Sequence, residues 1–276
     1  MINSLQKSKD LCNAPVGVFD SGVGGLSVLM EIRRQLPAEN LIYVADSGHV
    51  PYGNRPANFI EKRATAITEF LLGADVKAIV VACNTVTVVA VESLRSWCPV
   101  PIVAMEPAIK PAASITKSGV IGVIATSQTL SSKSVARLCN MYGSNIEVLL
   151  QPCPGLVELV EQAELTSIST RSLLSDYLSP LLDKGADTIV LGCTHYPFLK
   201  QMISEVAGTD VVIIDPAAPV ARELLRQLSL RQLSASSVRS GSEMFFASDH
   251  LSNAQTITSK LWGRQIEVHK LPHAYC

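Results

Sequence analysis

The sequence predicts an α/β fold with two parallel sheets, and three observations carry that expectation. Ten short β-branched runs alternate with longer segments of helical period. The runs are continuous in Val and Ile rather than alternating with polar residues, which is the pattern of strands buried on both faces. Ten strands exceed the roughly 4–6 of an ordinary open sheet, so they divide into two.

The elements follow in order. Val16–Asp20 is a strand, and a glycine-rich turn after it opens a helix over 24–36. Leu41–Asp46 leads through a Pro51-Tyr52-Gly53 loop to a helix over 57–72, and Ala78–Cys83 leads to one over 85–97. Ile102–Met105 closes this part, and the Ala104–Pro111 stretch breaks the pattern. Gly119–Ala125, a helix over 127–142, Ile146–Leu150, a helix over 166–184, Thr188–Cys193, a helix over 196–208 and Val211–Asp215 make a second series. A helix over 216–229, the strand Glu243–Ser248, a helix over 250–262 and the strand Gln265–Val268 complete the chain. Ser234–Ser242 reads as an exposed loop. An internal echo supports two units: Ala78-Ile-Val-Val-Ala-Cys83-Asn84-Thr85 matches Thr188-Ile-Val-Leu-Gly-Cys193-Thr194-His195, with the cysteines 193 − 83 = 110 residues apart. The expected division is residues 1–104 plus 216–276 in one domain and 105–215 in the other.

Composition removes several classes of function. The 276 residues carry 23 Lys and Arg against 24 Asp and Glu, a net charge of −1, and no basic run, so neither nucleic acid nor a membrane surface is the expected partner. No apolar stretch approaches the roughly 18 residues of a spanning segment. The opening Met1–Pro15 lacks the apolar segment of a secretory signal, and the expected location is cytoplasmic. Seven cysteines stand at 12, 83, 98, 139, 153, 193 and 276, with no Cys-x-x-Cys pair. Neither a zinc site nor a disulfide scaffold has that spacing, so no metal is expected.

Ligands of open parallel sheets collect beyond the carboxyl ends of the strands. The polar residues placed there are Asp20-Ser21, the Pro51-Tyr52-Gly53 loop, Cys83-Asn84-Thr85, Thr126 and Cys193-Thr194-His195. The Gly22-Val23-Gly24-Gly25 turn fits neither the dinucleotide nor the phosphate-loop spacing, and Asp20 before it suits an ammonium group rather than a phosphate. A tight turn with glycines for backbone reasons alone is an equal reading. The two cysteine turns are more specific. A thiol between a strand end and a helix start feels the positive end of the helix dipole. Two such thiols facing each other across a cleft suit proton removal from one face of a stereocentre and proton return on the other. A disulfide oxidoreductase keeps its cysteines closer in sequence, and a Cys–His hydrolase leaves the second cysteine turn unexplained.

Six blocks in order, Gly17-Val-Phe-Asp20-Ser21-Gly-Val-Gly-Gly25, Pro51-Tyr52-Gly53, Ala82-Cys83-Asn84-Thr85, Glu106-Pro107-Ala108, Cys153-Pro154 with Leu-Val-Glu following, and Gly192-Cys193-Thr194-His195-Tyr-Pro197, closely resemble the bacterial glutamate racemase family. The resemblance implies two similar α/β domains with the active site in the interdomain cleft. It implies interconversion of L- and D-glutamate without a cofactor, supplying D-glutamate for peptidoglycan. By the same resemblance Cys83 deprotonates D-glutamate and Cys193 deprotonates L-glutamate. Asp20 and His195 assist them, and Glu161 is a further acidic residue near the site. Asp20, Ser21, Tyr52, Gly53, Asn84, Thr85, Thr126, Thr194 and His195 bind the substrate. A homo-oligomer, taken as a dimer, is implied too. Some Gram-negative members need a cell-wall precursor as activator, with which the Met1–Pro15 extension is compatible. The family often reads Cys-Asn-Thr-Ala-Ser where this chain has Cys83-Asn84-Thr85-Val86-Thr87, a departure taken as packing variation.

The physical reading agrees with those roles. The Cα proton of an amino acid is weakly acidic, and no Lys stands in a setting for a pyridoxal Schiff base. Placed donors in a site closed to water are the remaining device. Two rivals stay open: a racemase of another small acid such as aspartate, and a two-domain protein that closes on a small anion without chemistry. In aspartate and hydantoin racemases the histidine of Gly-Cys-Thr-His is commonly replaced, so His195 favours glutamate. Cys12, Cys98, Cys139, Cys153 and Cys276 are expected to serve packing only, Trp97 and Trp262 to be core or interface anchors, and His49 to be exposed or part of a lid. Asp46 at its strand end either lines the cleft or caps a turn.

Overall fold

The computed structural model describes residues 11–143, 146–236 and 240–276. Most of the N-terminal extension, residues 1–10, and the centre of the Ser-rich stretch, 237–239, lie outside the described residues.

Among the described residues, ten strands form two wholly parallel sheets. They are β1 (Val16–Asp20), β2 (Leu41–Ala45), β3 (Ala78–Val81), β4 (Ile102–Ala104), β5 (Val120–Ala125), β6 (Glu147–Pro152), β7 (Thr188–Leu191), β8 (Val212–Ile214), β9 (Glu243–Ala247) and β10 (Val268–Lys270). One sheet runs β10-β9-β2-β1-β3-β4 and the other β6-β5-β7-β8. The order β2-β1-β3-β4 is thus repeated as β6-β5-β7-β8, and β9 and β10 extend the first sheet after the chain has left the second. The internal echo in the sequence is this repeat, since β3 and β7 hold the same place in their sheets.

Burial explains the apolar runs. Every residue of β1, β2, β3 and β7 is buried. Alternate residues serve different cores: Val16, Val18, Ala78 and Val80 belong to a cluster that continues into the second sheet, whereas Phe19, Ile79 and Val81 face helices on the opposite side. In the second sheet Ile189 and Leu191 join the shared cluster, and Val190 faces a separate one. Each fully buried Val, Ile or Leu contributes about 1.5–3 kcal/mol relative to exposure, so both faces of these strands drive the fold. Edge strand β6 holds only half-buried and exposed residues, as an edge should.

The helices are α1 (Leu26–Gln35), α2 (Ala57–Gly73), α3 (Asn84–Trp97), α4 (Ile109–Ile115), α5 (Ser127–Leu130), α6 (Lys133–Tyr142), α7 (Leu156–Glu161), α8 (Ile168–Leu182), α9 (Lys200–Ala207), α10 (Ala217–Leu230) and α11 (Leu251–Trp262). The sequence reading differs here in three places. The helix expected over 127–142 is two, because Ser132 takes an extended conformation and its hydroxyl accepts from Val135 N, starting a new helix. Helix α4 begins inside the stretch read as a break and runs past it, and α7 follows Gly155, whose φ of +88° turns the chain sharply after Pro154. After β8, helix α10 packs against α1 and so returns the chain to the first sheet. No helix among the described residues is long and apolar enough to cross a membrane. Trp262 lies edge-on to Phe245 at the core, whereas Trp97 is 41% exposed.

Candidate active site

Parallel strands end together, and the carboxyl ends of both sheets meet at one place. Asp20 ends β1 beside Ala45 of β2, and Cys83 follows β3 by two residues. In the second sheet Thr126 follows β5 directly, and Cys193 follows β7 by two residues. Ser21, Tyr52, Gly53, Cys83, Asn84 and Thr85 from the first sheet line a single narrow cavity with Thr126, Cys193, Thr194 and His195 from the second. Pro51 and Val157 complete the wall, and the free volume is about 10 Å³. The two cysteine sulfurs therefore share one chamber.

The sulfurs have different neighbours. Cys83 Sγ lies 3.8 Å from Ser21 Oγ. Burial and then the nearby Asp20 carboxyl push the Cys83 thiol well above its ordinary pKa. Asp20 is wholly enclosed: Oδ1 accepts from Ser21 N at 2.7 Å, and Oδ2 accepts from Gly25 N at 2.6 Å and Thr194 Oγ1 at 3.1 Å. Its pKa is raised by that burial, against the pull of His195. Asp20 thus stands behind the cavity wall rather than in it. On the other side, His195 Nδ1 is 3.7 Å from Cys193 Sγ, and Nε2 is 2.7 Å from Glu161 Oε1. Burial would lower the imidazole pKa, but the contacts with Cys193 and Glu161 outweigh it and hold the ring well above its usual value. That shift favours the protonated ring, which would donate from both nitrogens. Glu161 also accepts from Val23 N at 2.7 Å, which ties α7 to the glycine turn.

That turn now has a reason for its glycines. A Cβ on Gly24 would overlap the His195 ring, and one on Gly22 would overlap the Glu161 carboxylate. The glycines let residues of the second sheet reach the end of β1. Ser27 Oγ, donating to Thr194 O at 2.9 Å, adds a second tie between the units.

Asn84 stands out in the cavity wall. It opens α3, it is buried, and neither its Oδ1 nor its Nδ2 has a hydrogen-bond partner among the described residues. A buried primary amide without partners costs about 1–3 kcal/mol, so its place is explained by a polar ligand. Thr85 Oγ1 is 3.0 Å from Thr126 Oγ1 and 3.4 Å from Thr129 Oγ1, and the latter two are 3.0 Å apart. Thr129 is a member that sequence reading missed. The signal was present, since Thr126 caps α5 and accepts from Thr129 N. The Tyr52 hydroxyl turns away from the cavity to donate to Asp46. Asp46 neither lines the cavity nor caps a helix; it anchors the Tyr52 loop through Arg63 and His49. Val86 is wholly buried in the core, and Thr87 Oγ1 accepts from Met105 N, so neither departure from the common motif touches the cavity.

The comparisons agree with this geometry. A sequence profile described as Asp/Glu/Hydantoin racemase matches residues 16–224. A glutamate racemase of Pseudomonas paraeruginosa is 51% identical over 260 residues, covering 94% of this chain and 98% of that protein. One from Methylococcus capsulatus is 49% identical over 261 residues, covering 95% and 96%. Among solved structures, a glutamate racemase of Bacillus anthracis superposes with a TM-score of 0.85 at 33% identity, covering 95% of this chain and 98% of that one. Escherichia coli glutamate racemase in complex with L-glutamate and the activator UDP-MurNAc-ala gives a TM-score of 0.83 at 31% identity, covering 94% and 98%. On fold, on a paired-cysteine cavity and on near-complete alignment alike, the chain belongs to the Asp/Glu/Hydantoin racemase family, among its bacterial glutamate racemases.

Proposed function

We propose that the chain interconverts L- and D-glutamate without a cofactor, by proton transfer at Cα between Cys83 on one face and Cys193 on the other. One observation carries the reading: two cysteines from separate sheets line one narrow cavity beside an unpaired buried amide. From L-glutamate, Cys193 as thiolate takes the Cα proton, and the C–H electron pair stays on carbon, delocalised into the α-carboxylate. Cys83 as thiol then gives its proton to the opposite face, releasing D-glutamate. The reverse direction exchanges the two roles. His195, held by Glu161, assists Cys193, and Asp20 assists Cys83. Asn84, Thr85, Thr194 and the positive end of the α3 dipole meet the α-carboxylate as negative charge builds there. Ser21, Thr126 and the Tyr52–Gly53 turn complete the substrate's contacts.

A free volume of about 10 Å³ holds no more than about one water. Glutamate therefore enters only when the two units separate. The hinge of this proposal lies at 104–110 and 215–216, dividing the chain into 1–104 plus 216–276 and 105–215. A cleft of about 630 Å³ lies at those crossings, lined by Ala104, Glu106 and Pro216, and gives the hinge room to move. Glutamate as substrate, and a cell-wall precursor as activator, are supported by the Escherichia coli relative's complex. Cytoplasmic supply of D-glutamate to peptidoglycan by a homodimer completes the reading.

The test is solvent exchange. Incubation with L-glutamate in deuterated water, with and without UDP-MurNAc-alanine, should remove the Cα–H signal from the NMR spectrum while D-glutamate appears. Binding without loss of that signal would reduce the protein to an anion-binding module. Exchange of aspartate but not glutamate would keep the chemistry and change the substrate.

A further inference from the structure

A connected group of side chains beside the cavity has no part in the proton transfers above. Asp46 follows β2, is fully enclosed, and takes two hydrogen bonds from Arg63: Nε to Oδ2 at 2.9 Å and Nη2 to Oδ1 at 2.8 Å. Tyr52 donates its hydroxyl to the same carboxylate, and His49 Nδ1 lies 3.0 Å from it. Burial would raise the Asp46 pKa, but hydrogen bonds from His49, Arg63 and Tyr52 outweigh it and hold the carboxyl well below the usual range. Arg63 Nη2 also donates, at 2.7 Å, to the main-chain carbonyl of Tyr275.

The segment around Tyr275 is itself docked. Leu271 is buried in the same core cluster as Tyr52 and Cys83. Its N–H donates to Ala247 O at 2.9 Å, and the Tyr275 ring packs edge-on against Phe70 at 5.6 Å. At the other end of the chain of contacts, the three-residue turn Tyr52–Asn54 carries Gly53 against Thr126, where an added Cβ would come within 3.0 Å of the threonine Cβ. A single 3₁₀ turn has little stability of its own, so its place in the wall depends on what holds Tyr52.

We propose that Arg63 is a positioning residue for the active-site wall, coupling the docked segment 271–276 through Asp46 to the Tyr52–Gly53 turn. The guanidinium suits the task because its planar fork serves both carboxylate oxygens and still has an N–H for Tyr275. Lysine has the charge but not the fork. The proposal rests on glutamate turnover as read above, since its kinetic readout is the KM for glutamate.

The acceptor at 275 is a backbone carbonyl, so shortening the chain after Pro272 removes it where a side-chain exchange would not. The shortened protein should show KM raised about fivefold, the worth of one ordinary hydrogen bond, with kcat little changed. Arg63→Met leaves the Asp46 charge with fewer partners and should raise KM about tenfold or more, as for a hydrogen bond to a charged group, with Arg63→Lys between the two. Backbone amide exchange over residues 49–55, measured without substrate, should quicken in the shortened protein. A shortened protein with unchanged KM and unchanged exchange over 49–55 overturns the proposal. A full-length chain that fails to racemise glutamate would instead overturn the functional reading, and the amide exchange would still judge this one.

Discussion

The Cys83 and Cys193 turns are one backbone device used twice. Each cysteine stands two residues past a buried strand at the same place in its sheet, and each reaches the same chamber. What differs is the charge beside the sulfur. Cys83 has the enclosed Asp20 carboxyl next to it and is held as a thiol by burial and by that neighbour. Cys193 faces an imidazole whose proton is favoured by its contacts and which is backed by Glu161. A nearly symmetric fold has been given an asymmetric proton inventory. The asymmetry is compatible with a symmetric reaction. L- and D-glutamate have equal free energies in water, so kcat/KM must be the same in both directions for the wild type and for every variant. Differences between the two turns can therefore appear only in kcat and KM separately, in isotope effects, or in reactions stopped halfway.

Stopping the reaction halfway gives the largest expected effect. Cys83→Ser and Cys193→Ser should each lose racemisation by about 10²–10⁴-fold or more, the scale of general acid–base catalysis. A leaving group at Cβ makes one base sufficient, because the carbanion then expels it. With 3-chloroglutamate of each configuration, Cys83→Ser should release chloride from the L form only, and Cys193→Ser from the D form only. Chloride release from both forms by either variant would reject the assignment of one sulfur to each face.

The assisting groups come next. Val23 N and His195 Nε2 meet the same oxygen, Glu161 Oε1, so Glu161→Gln can keep that acceptor for both but removes the negative charge that favours the imidazole's proton. Asp20→Asn keeps the volume beside Cys83 and removes the charge. Each should lower kcat by about 10- to 100-fold. Glu161→Gln should enlarge the primary effect of Cα deuterium chiefly with L-glutamate, and Asp20→Asn chiefly with D-glutamate. Equal enlargement with both enantiomers in both variants would mean that the two groups act on the site as a whole rather than on one sulfur each.

The two turns were the most legible part of the sequence, for a physical reason. Strands buried on both faces show themselves as apolar runs, and a parallel sheet puts the residues just past each run at the ligand end. Cys83-Asn84-Thr85 and Cys193-Thr194-His195 are contiguous with such runs, so position and chemistry could be read together. The contacts that hold the turns were less legible. Asp46 and Arg63 lie 17 residues apart on different elements, and only the fold brings them together. Glu161 sits on α7, a six-residue helix without a clear period, and its place was implied by family resemblance alone. The glycines at 22 and 24 were ambiguous, because the atoms that demand them belong to residues 161 and 195. Helix α4 was hidden by its own Pro111, which is tolerated because it lies within the first turn, where the missing N–H has no intrahelical acceptor to lose.

The smallest expected effect separates the turns by pH. Asp20 and His195 both have folded pKa values above their unfolded ones. In each case the folded protein binds more protons than the unfolded chain between the two values, so stability falls as pH rises through that window. The windows differ. For Asp20 the fall begins near pH 4, the ordinary carboxyl value, and for His195 near 6.5. The His195 contribution is complete below about 6.5 and is lost as pH rises toward the raised folded value. Chemical denaturation of the wild type should therefore show stability declining between about pH 6.5 and 8, by at most about 1.4 kcal/mol per pH unit from this group. His195→Asn should flatten that decline while leaving the acid side as it was, and Asp20→Asn should do the reverse. Above about pH 8.5 the raised Cys83 thiol adds a fall of the same sign, so the test belongs below that value. An undiminished decline between 6.5 and 8 in His195→Asn would show that the Cys193 turn does not hold the extra proton, and the contrast between the two turns would then rest on Cys83 alone.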